Sequence, residues 1–249
     1  MNKLKLVLLL LGVIPLYGIL HAQEEEPDTL KKPCKFMFGG KAGVAFSAFT
    51  INREPFTEAK AGLMITGFVE YPVSGFLSLS LEPGYVQKGA RHVSPSFFYD
   101  ESTYLEPYSL VELTSITTHH VQLPLLAKFK LPGNSCCTAP FLTVGGSVTY
   151  NFYAEARELV DYGTINNQMY YRFIDEIVTD KFESWEYQVV AGAGVEFEYP
   201  FGDIIGSLNY CLGLSQVNKF SYQNQLYNFS SNSWMISLGY RFKKKEKQE

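Results

Sequence analysis

The chain has 249 residues, a formal net charge of −4, 46% hydrophobic residues and 15% aromatics. The acidic balance excludes the basic footprint of a nucleic-acid-binding protein, so no nucleic acid is expected as a partner. The length suits one β-domain or barrel, and after Leu20 no apolar run reaches the about 20 residues of a transmembrane helix.

Residues 1–22 place Lys3 and Lys5 ahead of an apolar run from Leu6 to Leu20 and end at the small Ala22. That is the order of a secretory signal peptide and its cleavage site. Cleavage there removes two lysines and no acid, which takes the net charge from −4 to −6. Residues 23–35, "QEEEPDTLKKPCK", read as a flexible periplasmic leader. Within it, "DTL" resembles a short bacterial O-glycosylation acceptor with Thr29 as the site. The first cysteine after the apolar run is Cys34, too far away for a lipid-anchored N-terminus.

From residue 36 the chain alternates. Segments 38–47 and 62–72 show the pattern first, and 77–87 sets Leu77, Leu79, Leu81, Pro83 and Tyr85 against Ser78, Ser80, Glu82 and Gly84. Segment 120–131 opposes Val121, Leu123, Leu125, Phe129 and Leu131 to His120, Gln122, Lys128 and Lys130. Segments 142–152, 186–199 and 208–214 repeat the scheme, the second with Glu186, Gln188 and Glu196 on its polar face. The last, 233–242, alternates Trp234, Ile236, Leu238, Tyr240 and Phe242 with Met235, Ser237, Gly239 and Arg241. A period of two means strands with two chemically different faces.

Eight such segments are joined by short connections at 72–75, 132–139 and 200–203 and long ones at 51–60, 91–114, 155–184 and 218–232. Short turns on one side and long loops on the other predict an all-β fold, an eight-stranded antiparallel up-and-down transmembrane β-barrel over 36–242. An even strand number puts both termini, including the charged tail 243–249, on the short-turn periplasmic side. A soluble eight-stranded barrel would turn its apolar face inward, around a ligand. Here Lys41, Glu70, Glu82, Lys128, Lys130, Glu196 and Arg241 stand among Gly and Ser with nearly balanced signs, which predicts a lumen of paired charges. An eight-stranded barrel is only wide enough to be filled by side chains, so a diffusion pore is not expected.

The stretches "GGKAGVAFS", "EYPVSGFLSLSLEPGYVQKG", "HHVQLPLLAKFKL", "PFLTVGGSVTYNF", "AGAGVEFEY" and "ISLGYRF" resemble the PorT-like outer-membrane β-barrel family of Bacteroidota-type bacteria. "VQLPLLAKFK", with Pro124, Leu125, Leu126 and Lys128, is the most specific piece. The resemblance covers about residues 36–242 and implies the fold and an outer-membrane location. The named member of that family is an accessory of a protein-secretion pathway.

Other candidate residues fall at the ends of the strands. His119 and His120 open the fourth strand, but neighbours on a strand face opposite ways and do not readily grip one ion. A lipid hydrolase at the rim would combine one of them with Ser115 or Ser215 and Glu112, yet no nucleophile–base spacing stands out. Cys34 and the adjacent Cys136 and Cys137 are expected on the periplasmic side, where Cys34 paired with Cys136 or Cys137 is a candidate disulfide. A metal clip of the same three lacks typical ligand spacing. Cys211 is expected free and facing the lumen.

The long loops are rich in rings: Phe97, Phe98, Tyr99, Tyr104 and Tyr108 in the second, Tyr162, Tyr170, Tyr171 and Phe173 in the third, and Phe220, Tyr222, Tyr227 and Phe229 in the fourth. Such aromatics serve as rigid contact surfaces or cover the barrel mouth. No cofactor is expected. The partners expected are outer-membrane lipid and a larger outer-membrane or periplasmic protein. The reading is a non-enzymatic accessory or scaffolding subunit, with a stand-alone adhesin or ligand-binding barrel and a rim hydrolase as rivals.

Overall fold

The computed structural model describes residues 36–51, 54–55, 57–93, 113–131, 138–165, 168–219 and 229–242. Eleven strands occur among them: β1 (Met37–Ile51), β2 (Glu54–Pro55), β3 (Glu58–Pro72), β4 (Leu77–Leu81), β5 (Gly84–Val93), β6 (Leu113–Lys130), β7 (Thr138–Ile165), β8 (Gln168–Ile177), β9 (Trp185–Tyr199), β10 (Gly202–Gly213) and β11 (Phe229–Phe242). All ladders are antiparallel. The ring closes because β1 pairs with β3 on one edge and with β11 on the other. Eight staves make the wall: β1, β3, the β4–β5 pair, β6, β7, β9, β10 and β11.

One stave is broken where the sequence predicts a continuous strand over 77–87. Pro83 has no N–H to give to the ladder, so β4 ends at Leu81 and β5 begins at Gly84. The wall is sealed there by Glu82 N–H donating to Pro124 O at 3.0 Å and Gly67 N–H donating to Pro83 O at 2.9 Å. A second irregularity lies in β3, where Ala59 to Met64 spans one residue more than Ala90 to Val86 opposite. This bulge leaves the Gly89 backbone to the Ser47 hydroxyl, which accepts from Gly89 N–H at 2.7 Å and donates to Gly89 O at 3.0 Å.

Two of the predicted long loops are largely strand. β1 runs on to Ile51 and β3 starts at Glu58, so the connection 51–60 is shorter than expected. The stretch 155–184 is a hairpin, with β7 continuing to Ile165 and β8 returning from Gln168. Its polar composition hides the period of two, because above the ring no lipid demands an apolar face. Tyr162 lies on β7 and Tyr170, Tyr171 and Phe173 on β8, while 91–93 belong to β5 and 113–114 to β6. The barrel thus has a terminal end, where β1 starts and β11 stops, and a hairpin end.

The faces are inverted relative to a water-soluble barrel. Leu63, Ile65, Leu123, Leu125, Ile236 and Leu238 are exposed on the outside, while Ser78, Gln122, Thr149, Ser207 and Ser237 are buried inside. Water would not tolerate so large a continuous apolar belt, which removes the soluble ligand-cavity alternative. Aromatic pairs flank the belt: Tyr240–Phe242 and Tyr199–Phe201 at the terminal end, Tyr150–Trp185 and Tyr210–Trp234 towards the hairpin end. Trp234 and Phe242 stand eight residues apart on one strand, about 27 Å along it, the span of a hydrocarbon core crossed at a tilt.

Strands this tightly coiled need room where their backbones meet. A Cβ on Gly145 would lie 2.0 Å from Leu125 O, whereas one on Gly206 would meet nothing within 4 Å. Gly145→Val is expected to destabilise the barrel by about 1–3 kcal/mol and Gly206→Ala by less than about 0.5 kcal/mol. Urea unfolding of the micelle-embedded protein, followed by tryptophan fluorescence, separates the two, and equal midpoints would contradict the close approach.

Candidate functional site

The inward positions divide the lumen into layers. At the terminal end, Arg241 from β11 is the hub. Its Nε donates to Asp203 Oδ2 at 2.8 Å, its Nη1 to Glu196 Oε1 at 3.0 Å and Glu70 Oε2 at 3.3 Å, and its Nη2 to Glu196 Oε2 at 3.1 Å. Lys128 reaches Glu70 at 3.0 Å and also Glu196, and Lys130 reaches Glu196 at 3.2 Å. Lys41 and Glu82 pair at 2.6 Å beside this group. Two of the ammonium groups also lie over rings, with Lys128 Nζ 4.4 Å from the Phe141 centroid and Lys41 Nζ 5.2 Å from that of Phe68.

Above lies an apolar septum of Ala45, Met64, Val86, Leu126, Val190, Cys211 and Met235. Cys211 is buried, a free thiol whose Sγ lies 3.8 Å from Met235 Sδ. A cavity of ≈ 20 Å³ between Glu82, Gln122, Asn209 and the septum has room for about one water. Next comes a polar layer in which Lys88 Nζ donates to Glu186 Oε2 at 3.0 Å and Gln188 donates to Glu186 Oε1 at 2.8 Å. At the hairpin end, Phe49, Ile116, Val178, Phe182, Val217 and Phe229 form an apolar cap. The segments carrying it are tied together by Glu183 N–H to Val217 O at 2.9 Å and Lys219 N–H to Lys181 O at 3.0 Å.

Septum and cap fill the lumen with buried apolar side chains at two levels. The expected seven charges lie inside the barrel; Glu186, which the alternation already sets on a polar face, pairs there with Lys88, and Arg241 with Asp203, two charges outside the expected set. Extending the alternation would have found them: Lys88 continues Glu82, Gly84 and Val86, and Asp203 precedes Ile205, Ser207 and Asn209 at the same parity. The connection expected at 200–203 ends before Asp203, because β10 begins at Gly202.

The remaining candidates separate. Phe229, expected as a loop contact, is buried as the first residue of β11, with its ring 6.5 Å from that of Phe49. Apolar closure of the mouth holds it there and withdraws it from contact. Phe97, Phe98, Tyr99, Tyr104, Tyr108, Phe220, Tyr222, Tyr227, Cys34, Cys136, Cys137 and Glu112 lie outside the described residues. The strand positions of Tyr162, Tyr170, Tyr171 and Phe173 are described but not their side chains.

His119 Nδ1 is 2.6 Å from the Tyr85 hydroxyl, and His120 Nε2 is 2.8 Å from Thr118 Oγ1. Ser115 accepts from Lys60, and the Ser215 hydroxyl accepts from Tyr187 N–H. Among the described residues neither histidine is hydrogen-bonded to a serine, and no serine–histidine pair is assembled.

Outside, just past the hairpin-end aromatics Tyr85, His119 and Phe152, lies a polar row. Lys60 Nζ donates to Ser115 Oγ at 2.8 Å and Thr117 Oγ1 at 2.6 Å. Arg157 holds Asp175 through Nε–Oδ1 at 2.7 Å and Nη2–Oδ2 at 3.3 Å. That hydrogen bond keeps the exposed Asp175 carboxyl below its ordinary pKa, so the pairing persists above the usual carboxylate range and fades as pH falls through the lowered value.

A closed ring of eight antiparallel staves, apolar and aromatic-girdled outside, polar and plugged inside, defines a transmembrane β-barrel. The chain belongs to the family of the outer membrane protein beta-barrel domain, whose model matches residues 21–219. Among solved structures it is similar to Neisserial surface protein A, with 15% identity over 83% of this chain and 97% of that one and a TM-score of 0.45. It is also similar to a major outer membrane protein from Thermus thermophilus, with 13% identity, 84% and 99% coverage and a TM-score of 0.43. Ail of Yersinia pestis, in complex with the heparin analogue sucrose octasulfate, shows 14% identity, 84% and 99% coverage and a TM-score of 0.38. No curated protein matches the chain.

Breaking the hub tests the lumen network. Removing one partner of a buried ion cluster leaves uncompensated charge, so Arg241→Leu is expected to cost about 3–5 kcal/mol. Arg241→Lys should fall between it and wild type, because an ammonium cannot reproduce the guanidinium fork. The same urea titration measures both, and a wild-type midpoint for Arg241→Leu would refute the hub.

Proposed function

We propose that this barrel is a non-enzymatic accessory or scaffolding subunit of an outer-membrane protein assembly. The observation that carries the proposal is a lumen filled by a charged layer, an apolar septum and an apolar cap. A lumen filled in this way argues against traffic through the barrel and supports a task for the surfaces outside the membrane. The β7–β8 hairpin supports this reading, since it continues the wall beyond the ring and β8 pairs with β7 alone among the described strands. A free strand edge is suited to backbone recognition by another chain. With both termini periplasmic, this hairpin faces the exterior. The PorT-like resemblance agrees with the proposal and makes protein secretion the process to examine.

Mild-detergent extraction of native outer membranes through a tag on the C-terminal tail tests the reading. Stoichiometric recovery of a larger membrane protein is expected, and its loss when residues 160–172 are replaced by an Asn-Gly turn. Recovery of the barrel alone would instead favour a stand-alone adhesin or ligand-binding barrel. In planar bilayers the purified protein should give no steady conductance steps. Discrete steps would contradict the closed lumen.

A further inference from the structure

The polar row above the hairpin-end girdle has a chemistry that neither the lumen nor the hairpin explains. In the paired strands Gly89 stands opposite Thr117 and Thr117 opposite Glu155, while Ser115 stands opposite Arg157 and Arg157 opposite Asp175. Residues directly opposite share a face. The intervening Ile116, Ala154 and Ala156 are buried in the apolar cap inside the lumen, so this row points outward. Lys60 stands opposite the buried Ser47 on β1, but the β3 bulge turns its side chain into this row: its Nζ reaches Ser115 and Thr117, and a Cβ on Gly89 would lie 3.0 Å from its Cδ.

The height of the row is set by its neighbours. Thr117 is two residues beyond His119, about 7 Å along the strand. His119 belongs to an outward aromatic cluster, with its ring 6.0 Å from that of Tyr85, 6.2 Å from Phe152 and 5.4 Å from Tyr153. Aromatic girdles mark the boundary of the hydrocarbon, so the row stands at headgroup level and faces lipid.

We infer that Lys60, Ser115, Thr117 and Arg157 form a binding site for the phosphate group of a membrane lipid in the leaflet at the hairpin end. Lys60 forms no ion pair with a carboxylate among the described residues, and its two hydrogen bonds end on hydroxyl oxygens. Each of those hydroxyls accepts from the ammonium and keeps its own O–H to donate. Arg157 engages Asp175 through Nε and Nη2, which leaves Nη1 to turn towards an anion. Two cations and two hydroxyl donors match the oxygens of a phosphate. Glu155 and Asp175 on the same row limit the attraction for free anions, so the lipid's acyl chains, lying along the apolar belt, supply the rest of the affinity.

Native mass spectrometry of the full-length barrel with diphosphorylated lipid A, dephosphorylated lipid A and inorganic phosphate tests the site. Wild type is expected to retain the phosphorylated lipid at least about tenfold better than the dephosphorylated one, the scale of a charge-assisted hydrogen bond. Lys60→Gln should lose this preference, Lys60→Arg should keep it, and Thr117→Val should weaken it. A gel-mobility shift on heating reports whether each variant is folded. Equal retention of both lipids by wild type, an unchanged preference in folded Lys60→Gln, or full competition by inorganic phosphate would each overturn the assignment.

Discussion

Everything in this molecule depends on the pairing of β1 with β11. In hydrocarbon there is no water to satisfy a backbone N–H or C=O, so a sheet can span a membrane only if it has no free edge. The ladder from Phe38↔Phe242 to Ile51↔Phe229 supplies that closure between the first and last staves. Local breaks in the ring are patched individually, as at Pro83 and Gly89, where a proline carbonyl and a serine hydroxyl complete what the ladder lacks. The same constraint explains why extra strand structure such as β8 lies beyond the girdle.

Closure of only eight staves makes a narrow interior, and its chemistry follows. Polar residues must line it because the apolar set is committed to lipid, yet little water fits, so buried charges have to neutralise one another. Lys41, Lys88, Lys128, Lys130 and Arg241 are paired with Glu70, Glu82, Glu186, Glu196 and Asp203. Such pairs offset a large desolvation cost more than they add stability. Their geometry is nevertheless specific, because each joins different staves and is satisfied only in the correct stagger. The apolar septum and cap then exclude the water that would weaken them.

The alternation of Trp234, Ile236 and Leu238 with Met235, Ser237 and Gly239 reveals the two faces without any coordinates, and so do Glu70, Lys128 and Glu196 at inward parity. Pattern alone does not reveal where a strand ends once it leaves the membrane. Along Glu155–Ile177 no lipid demands an apolar set and the signal that marks a membrane strand disappears, although the backbone remains extended. Phe229 misleads for a related reason, since an aromatic after an Asn- and Gln-rich stretch reads as surface until the mouth of the barrel is seen to need a lid.

By itself the sequence determined the class of fold, the number of staves, the outward and inward sets and the presence of balanced interior charge, because a period of two is a property of the single strand. Only the tertiary structure decided which charges meet. Glu70 and Arg241 are 171 residues apart, and their contact follows from the stagger with which the ring closes, a quantity shared by all the strands. The layering of the lumen, the lid over its mouth and the outward row around Lys60 have the same origin, since each is assembled from side chains of several staves brought level by that stagger.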